Sequence, residues 1–205
     1  MKLYYSPGAC SLAPHILLRE ANVPFALERV DTKTKKTASG ADFLSINPKG
    51  YIPAFEFEDG AVLTEGVVLQ QYIADHYPDA KLAPPHGTKE RVRLDEALVF
   101  LSTEVHKQHD LLFGAATPDD VKATLREKIG RRYDLLEQRF ADGRPFLMGE
   151  AFTIADAYLF TLVNWAGWVD IDTSRWPRIG AFVQRIAARP AVQAALEAEG
   201  LKKAA

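Results

Sequence analysis

Strand-like apolar runs bounded by turn residues fall before residue 65 of this 205-residue chain, and beyond Thr88 the pattern is long stretches with a helical apolar period, broken by the short apolar connector Phe146-Leu147-Met148-Gly149. That switch leaves room for a mixed sheet-and-helix domain followed by an all-helical one, and for little else. Leu3 to Tyr5 reads as a strand that breaks at Ser6-Pro7-Gly8, where proline presets φ and glycine permits φ > 0. Ser11 is placed as the N-cap of a helix carrying Leu12, His15, Ile16 and Arg19 in phase. Pro14 is tolerated in its first turn, where the missing N–H has no intrahelical partner. Phe25 to Val30 reads as a second strand, parallel to the first if the helix is the crossover. Residues 31–42 are polar and without period, a surface loop. Asp42 to Ile46 is a short helix stopped by Asn47-Pro48-Lys49-Gly50. Residues 54–58 and 61–63 flank Asp59-Gly60, a hairpin signal. A further helix opens at Thr64-Glu65-Gly66 and runs to about His76, with Val67, Val68, Gln71, Tyr72 and Asp75 phasing along it.

Pro78, Pro84, Pro85 and Gly87 mark residues 78–87 as a linker, which gives domains at 1–77 and 88–205. The second domain reads as helices only. One runs from Thr88 to about Phe113 on Val92, Leu94, Leu98, Leu101, Val105 and Leu112, and another from Pro118 to about Ala141 on Val121, Leu125, Ile129, Leu136 and Phe140. Thr153-Ile154-Ala155-Asp156 has the spacing of a capping box and opens a strongly apolar helix, the expected centre of that domain. Trp176-Pro177 starts another helix, and Pro190 a last one that ends at Gly200. The order β-α-β-α-β-β-α of the first domain is that of a thioredoxin-like α/β domain.

A net charge of −2 with no basic run beyond Lys33, Lys35 and Lys36 argues against a nucleic-acid partner. No signal peptide and no apolar run of about 20 residues is visible, so the expectation is a cytoplasmic protein without a membrane span. Cys10 is the only cysteine, which excludes an intrachain disulfide and fits a reducing compartment. It stands on the strand-to-helix turn, at the positive end of a helix dipole, where a thiol pKa falls and anions are welcome. A buried, inert cysteine is the other reading. His106 and His109, three apart with no further ligand motif, make a poor metal pair, and no metal is expected.

Five segments, in this order, are similar to those of glutathione S-transferases, and most closely of the bacterial beta class: Tyr-Ser-Pro-Gly-Ala-Cys-Ser at 5–11, Ile-Asn-Pro-Lys-Gly-Tyr-Ile-Pro at 46–53, Leu-Thr-Glu-Gly at 63–66, Glu-Val-His-Lys at 104–107 and Thr-Ile-Ala-Asp-Ala-Tyr at 153–158. The resemblance spans essentially the whole chain. It implies a thioredoxin-like N-terminal domain that binds glutathione and an all-α C-terminal domain that supplies the second-substrate pocket. It further implies a cis proline at Pro53, with the Ile52 backbone pairing with the cysteinyl unit of glutathione as an added strand edge. Glu65 would meet the α-ammonium and the helix start at Gly66 the α-carboxylate, Lys35 the glycyl end, and His106 and Lys107 the thiol and peptide. Trp165 matches a tryptophan near the second-substrate pocket, and Thr153 with Asp156 a structural cap. Val99 and Thr103 replace an asparagine and a serine that reach glutathione in the partner subunit, so that cross-subunit contact is weakened.

The implied activity is attack of the glutathione thiolate, with Cys10 and His106 as catalytic residues, on a small electrophile. Glutathione is then a co-substrate with no tightly bound cofactor, and the assembly a homodimer. Two alternatives stand beside it: a monothiol glutathione-dependent thiol-disulfide oxidoreductase or dehalogenase using Cys10, and a glutathione-binding protein without turnover.

Overall fold

Strand β1 (Lys2–Tyr5) lies at the centre of a five-stranded sheet of order β3-β2-β1-β4-β5 in the computed structural model of the chain, which describes residues 1–201. Helix α1 (Leu12–Glu20) carries the chain over to β2 (Ala26–Asp31), which runs parallel to β1. The polar stretch assigned to a loop holds a strand as well. β3 (Lys36–Thr37) pairs antiparallel with the end of β2, Thr37 opposite Val30. Two residues are too few to show a period. The chain is turned back towards β2 by the Asp31 carboxylate, which accepts the N–H groups of Lys33 and Thr34. After α2 (Phe43–Ile46), β4 (Ala54–Glu56) and β5 (Val62–Thr64) form the hairpin expected around Asp59-Gly60, followed by α3 (Gly66–His76).

Alternation along β1 and β4 sorts side chains to opposite faces of the sheet. Tyr4, Val30 and Ala54 bury against Phe43 of α2, whereas Phe55, paired with Leu3, meets Tyr72 of α3. The inner face of α3 is Leu69, Gln70, Ile73 and Ala74. The residues expected to phase along it lie on its flank, with Val68 exposed.

Contacts divide the described chain into two units, and the second comprises residues 84–187. It is built from α4 (Lys89–Phe100), a π-helical turn (Leu101–His106), α5 (Lys107–Leu112), α6 (Asp119–Arg139), α7 (Ile154–Asn164) and α8 (Pro177–Ala187). Every residue of α7 from Ile154 to Val163 is buried, so the apolar run expected at the centre is there. Arg91, Leu94, Leu98, Leu101 and Val105 form the inward stripe leading from α4 into the π turn. Val92, expected in that stripe, is one position off it and 64% exposed; Val121 likewise faces outward from α6 at 39%.

The sequence assigned everything after residue 87 to the helical domain, but α9 (Pro190–Ala198) groups with the sheet unit. Val192 and Ala195 bury as it packs on α1, and the Arg189 guanidinium makes a two-pronged pair with Glu20 at 2.7 and 2.9 Å. Below α9, the fully buried Glu199 carboxylate accepts the Gly8 N–H at 2.8 Å and lies 2.8 Å from His15 Nδ1. Arg19 Nε donates to His15 Nε2 at 2.9 Å, which fixes the tautomer: Nδ1 carries the proton and donates to Glu199.

Candidate functional site

Four of the sequence-selected residues of the sheet unit, Cys10, Lys35, Glu65 and Gly66, stand around one loop, residues 47–53, that carries two more, Ile52 and Pro53. Asn47, buried beneath it, donates from Nδ2 to Tyr51 O at 2.7 Å and accepts the Lys49 N–H at 3.2 Å. Gly50 has φ +66°, a left-handed conformation that favours glycine, and a Cβ there would come within 3.1 Å of the Leu44 side chain. The peptide bond between Ile52 and Pro53 is cis. Around this loop stand the other candidates. Cys10 Sγ donates to Ile52 O at 3.3 Å, and Lys35 Nζ to Gly50 O at 2.8 Å. A Cβ added to Gly66 would lie 3.6 Å from the Pro53 ring, so Pro53 stands beside the start of α3. Lys49 Nζ donates to Glu65 Oε1 at 2.7 Å and to Thr64 Oγ1 at 3.0 Å.

Glu65 itself has φ 72°, ψ 108°, a conformation that costs a non-glycine residue about 1–3 kcal/mol. Such strain persists where the surroundings over-determine it, as at ligand clamps. It sets the carboxylate beside the opening turn of α3, whose first N–H groups have no partner within the helix. Beneath this turn, Gln70 is completely buried, and neither its Oε1 nor its Nε2 has a hydrogen-bond partner among the described residues.

Ser11 does not cap α1. Its backbone is already helical, and its hydroxyl donates to Ser6 O while accepting the Ser6 N–H, both at 3.2 Å. The hydroxyl therefore closes the Ser6–Ser11 turn instead of the helix end. Glu199 grips the same turn at Gly8, so Cys10, half-buried, is presented by a loop held from two sides. Lys49, Asn47 and Glu199 have no assigned role in the sequence reading. The Asn-Pro-Lys-Gly turn was a signal for the first two; nothing local marks Glu199.

In the helical unit the π turn decides what faces inward. The Lys107 N–H bonds to Ser102 O, five residues back, which inserts one residue into the helical register. His106 and His109 both come to lie against Trp165, with ring centroids 4.9 and 5.5 Å away, and Phe113 completes the cluster at 5.6 Å. His106 Nδ1 is 2.6 Å from the buried Tyr158 hydroxyl, while its Nε2 is 3.7 Å from Asp110 Oδ1. Burial is the main cause that pushes the His106 pKa down to about 4, opposed by the Asp110 charge, so the imidazole is neutral at neutral pH. His109 is also lowered by burial and bonds through Nδ1 to Val105 O at 2.8 Å. The backbone-satisfied core histidine of this helix is thus His109, and His106 keeps an edge in solvent, its side chain 22% exposed.

Lys107 is exposed and pairs with Asp110 at 3.3 Å. Thr103 Oγ1 donates to Val99 O within its own helix, and Val99 is exposed. Trp165 is only 4% exposed, so its bulk backs the histidines. Thr153 and Asp156 are joined as the capping box requires: the Asp156 carboxylate accepts the Thr153 N–H and the Leu147 N–H at 2.7 Å and the Thr153 hydroxyl at 2.9 Å.

Residues 1–75 match the glutathione S-transferase N-terminal domain family and residues 89–190 the glutathione S-transferase C-terminal domain family. Glutathione S-transferase GstA of Escherichia coli O157:H7 is 45% identical over 202 residues, which covers 98% of this chain and 100% of that one. The crystal structure of a glutathione transferase from Methylococcus capsulatus superposes with a TM-score of 0.96 at 54% identity, covering 98% of this chain and 99% of the other. A sphingomonad glutathione S-transferase solved in complex with glutathione gives 0.94 at 46% identity, covering 98% and 100%.

Proposed function

This chain belongs to the glutathione S-transferase family, and from that premise we propose that it transfers the glutathione thiolate to small electrophiles, apolar or halogenated ones among them. Glutathione presents one ammonium, two carboxylates and a central thiol. The ammonium goes to Glu65, the α-carboxylate to the N–H groups opening α3 at Gly66, the cysteinyl backbone to Ile52 beside Pro53, and the glycyl carboxylate to Lys35. Cys10 and the neutral His106 act on the sulfur, which has to be held as thiolate to attack, and Lys107 meets the peptide. Lys49 holds Glu65 in the free protein through an exposed pair, worth under about 1 kcal/mol, so the ammonium of the peptide replaces it at little cost. The observation that carries this reading is the 47–53 loop, which gathers Cys10, Lys35, Glu65 and Gly66 around one turn.

The test is a glutathione titration together with conjugation of a chloronitrobenzene. Glu65→Ala should weaken glutathione binding about tenfold or more, the worth of a charge-assisted contact. Unchanged binding would remove the assigned pose. Cys10→Ala separates the rival chemistries. Loss of conjugation with binding retained makes Cys10 a participant, whereas retained conjugation assigns the half-buried thiol to monothiol exchange or dehalogenation. A protein that binds glutathione and turns over nothing would be a ligand-binding member of the family.

The assembly is read as a homodimer of a cytoplasmic protein. Supporting it are exposed apolar side chains: Val68 on α3, Val92 and Val99 on α4, and Leu135 on α6. Sedimentation should give twice the 22.8 kDa chain mass, and a monomer at micromolar concentration would overturn it. Among the described residues no helix is long and apolar enough to cross a membrane.

A further inference from the structure

His106 and His109 lie one turn apart against the same tryptophan, yet their ring nitrogens meet different chemistry. Beside His109 Nδ1 is a backbone carbonyl, which only accepts, so that nitrogen carries the proton. Beside His106 Nδ1 is a phenol, which can donate or accept, and beside Nε2 is a carboxylate, which only accepts. We propose that the Tyr158 hydroxyl donates to His106 Nδ1 while Asp110 draws the proton to Nε2, so that Tyr158 and Asp110 are positioning residues that make His106 a neutral N–H donor, the opposite tautomer to His109.

The geometry supports each half. At 2.6 Å, the Tyr158 contact is a short hydrogen bond from a side chain that is 3% exposed and cannot turn to water. The Asp110 contact, at 3.7 Å, is longer than a hydrogen bond. It orients the Nε2 proton without consuming it, and so leaves it available at the open edge of the ring. Lys107 and His109 are the other titratable groups acting on this imidazole; Lys107 adds positive charge, which also disfavours a second proton on the ring. A neutral imidazole with its lone pair already engaged is a poor base. Its N–H can instead stabilise an anion, and on the reading given above that anion is the glutathione thiolate.

The tautomer is read directly from imidazole 15N shifts and one-bond couplings of the wild-type protein with labelled histidine. The expected result is His106 protonated at Nε2 and His109 at Nδ1. His106 protonated at Nδ1 would overturn the proposal, whether or not the protein conjugates anything. Tyr158→Phe should shift the His106 proton population towards Nδ1, and should lower kcat about tenfold with glutathione KM little changed, the equivalent of one hydrogen bond. Asp110→Asn, at a half-exposed position that folding tolerates, should shift the population the same way. An unchanged tautomer in both variants would overturn the roles of Tyr158 and Asp110. If the tautomers are as stated but His106→Ala conjugates at the wild-type rate, the assignment stands and the functional reading of His106 falls.

Discussion

Asp156→Ala should destabilise the protein by about 3–5 kcal/mol, because one fully buried carboxylate satisfies three donors that no water can reach. Two of those donors are backbone N–H groups, Thr153 at the start of α7 and Leu147 in the connector before it. The carboxylate therefore caps the central helix and ties the preceding loop to it. A buried donor left unpaired costs about 1–3 kcal/mol, and several are lost together here. Against a whole-domain stability of about 5–15 kcal/mol this is a large fraction, and for a chain of this size each kcal/mol lowers Tm by about 2–4 °C. The measurement is the urea midpoint at unchanged slope, alongside thermal unfolding. Asp156→Asn should lie between, since its amide keeps one acceptor but turns an NH2 group towards a donor. A loss below about 1 kcal/mol would show that water enters the cap and replaces the carboxylate.

Glu199→Ala is the second large expected effect, about 2–4 kcal/mol, from the orphaned Gly8 N–H and His15 Nδ1–H. Unlike the Asp156 change it should also reach the chemistry. Gly8 lies two residues before Cys10, and the Glu199 bond holds that turn together with the Ser11 hydroxyl, which closes it on Ser6. Glutathione binding in the folded variant should therefore weaken, while Asp156→Ala, whose partners lie in the helical unit, should leave binding by the folded fraction near wild type. Glu199→Gln should recover little, because its amide can accept from only one of the two donors. Equal binding in wild type and Glu199→Ala would mean that the turn keeps its shape without the Glu199 carboxylate.

The two residues differ in how far the sequence announced them. Asp156 was legible because a capping box is a local device: Thr153 and Asp156 are three apart, and the apolar run that follows names the helix they cap. Glu199 is 191 residues from Gly8, and a glutamate near a helix C-terminus looks like a solvated charge. Only packing of α9 on α1 turns it inward. The same packing groups α9 with the sheet unit. Pro190 marks a helix start but not the unit against which the helix buries Val192 and Ala195.

What the sequence by itself determined are features whose cause is local or periodic: the strand–turn–helix around Cys10, the parallel β2, the Asp59-Gly60 hairpin, and the cap and buried run of α7. These rest on φ preferences, capping and apolar spacing, which act over a few residues. What only the tertiary structure decided depends on partners distant in the chain or on a single inserted residue. The strand at Lys36–Thr37 exists because β2 offers an edge. Lys49 reaches Glu65 because a tight turn at Gly50 and a hairpin bring them together. The tautomers of His106 and His109 follow from a π turn that rotates both rings onto Trp165 and sets one against a phenol and the other against a carbonyl. A hydrogen bond is made by whatever group folding delivers within about 3 Å, and that neighbour is a property of the packed molecule.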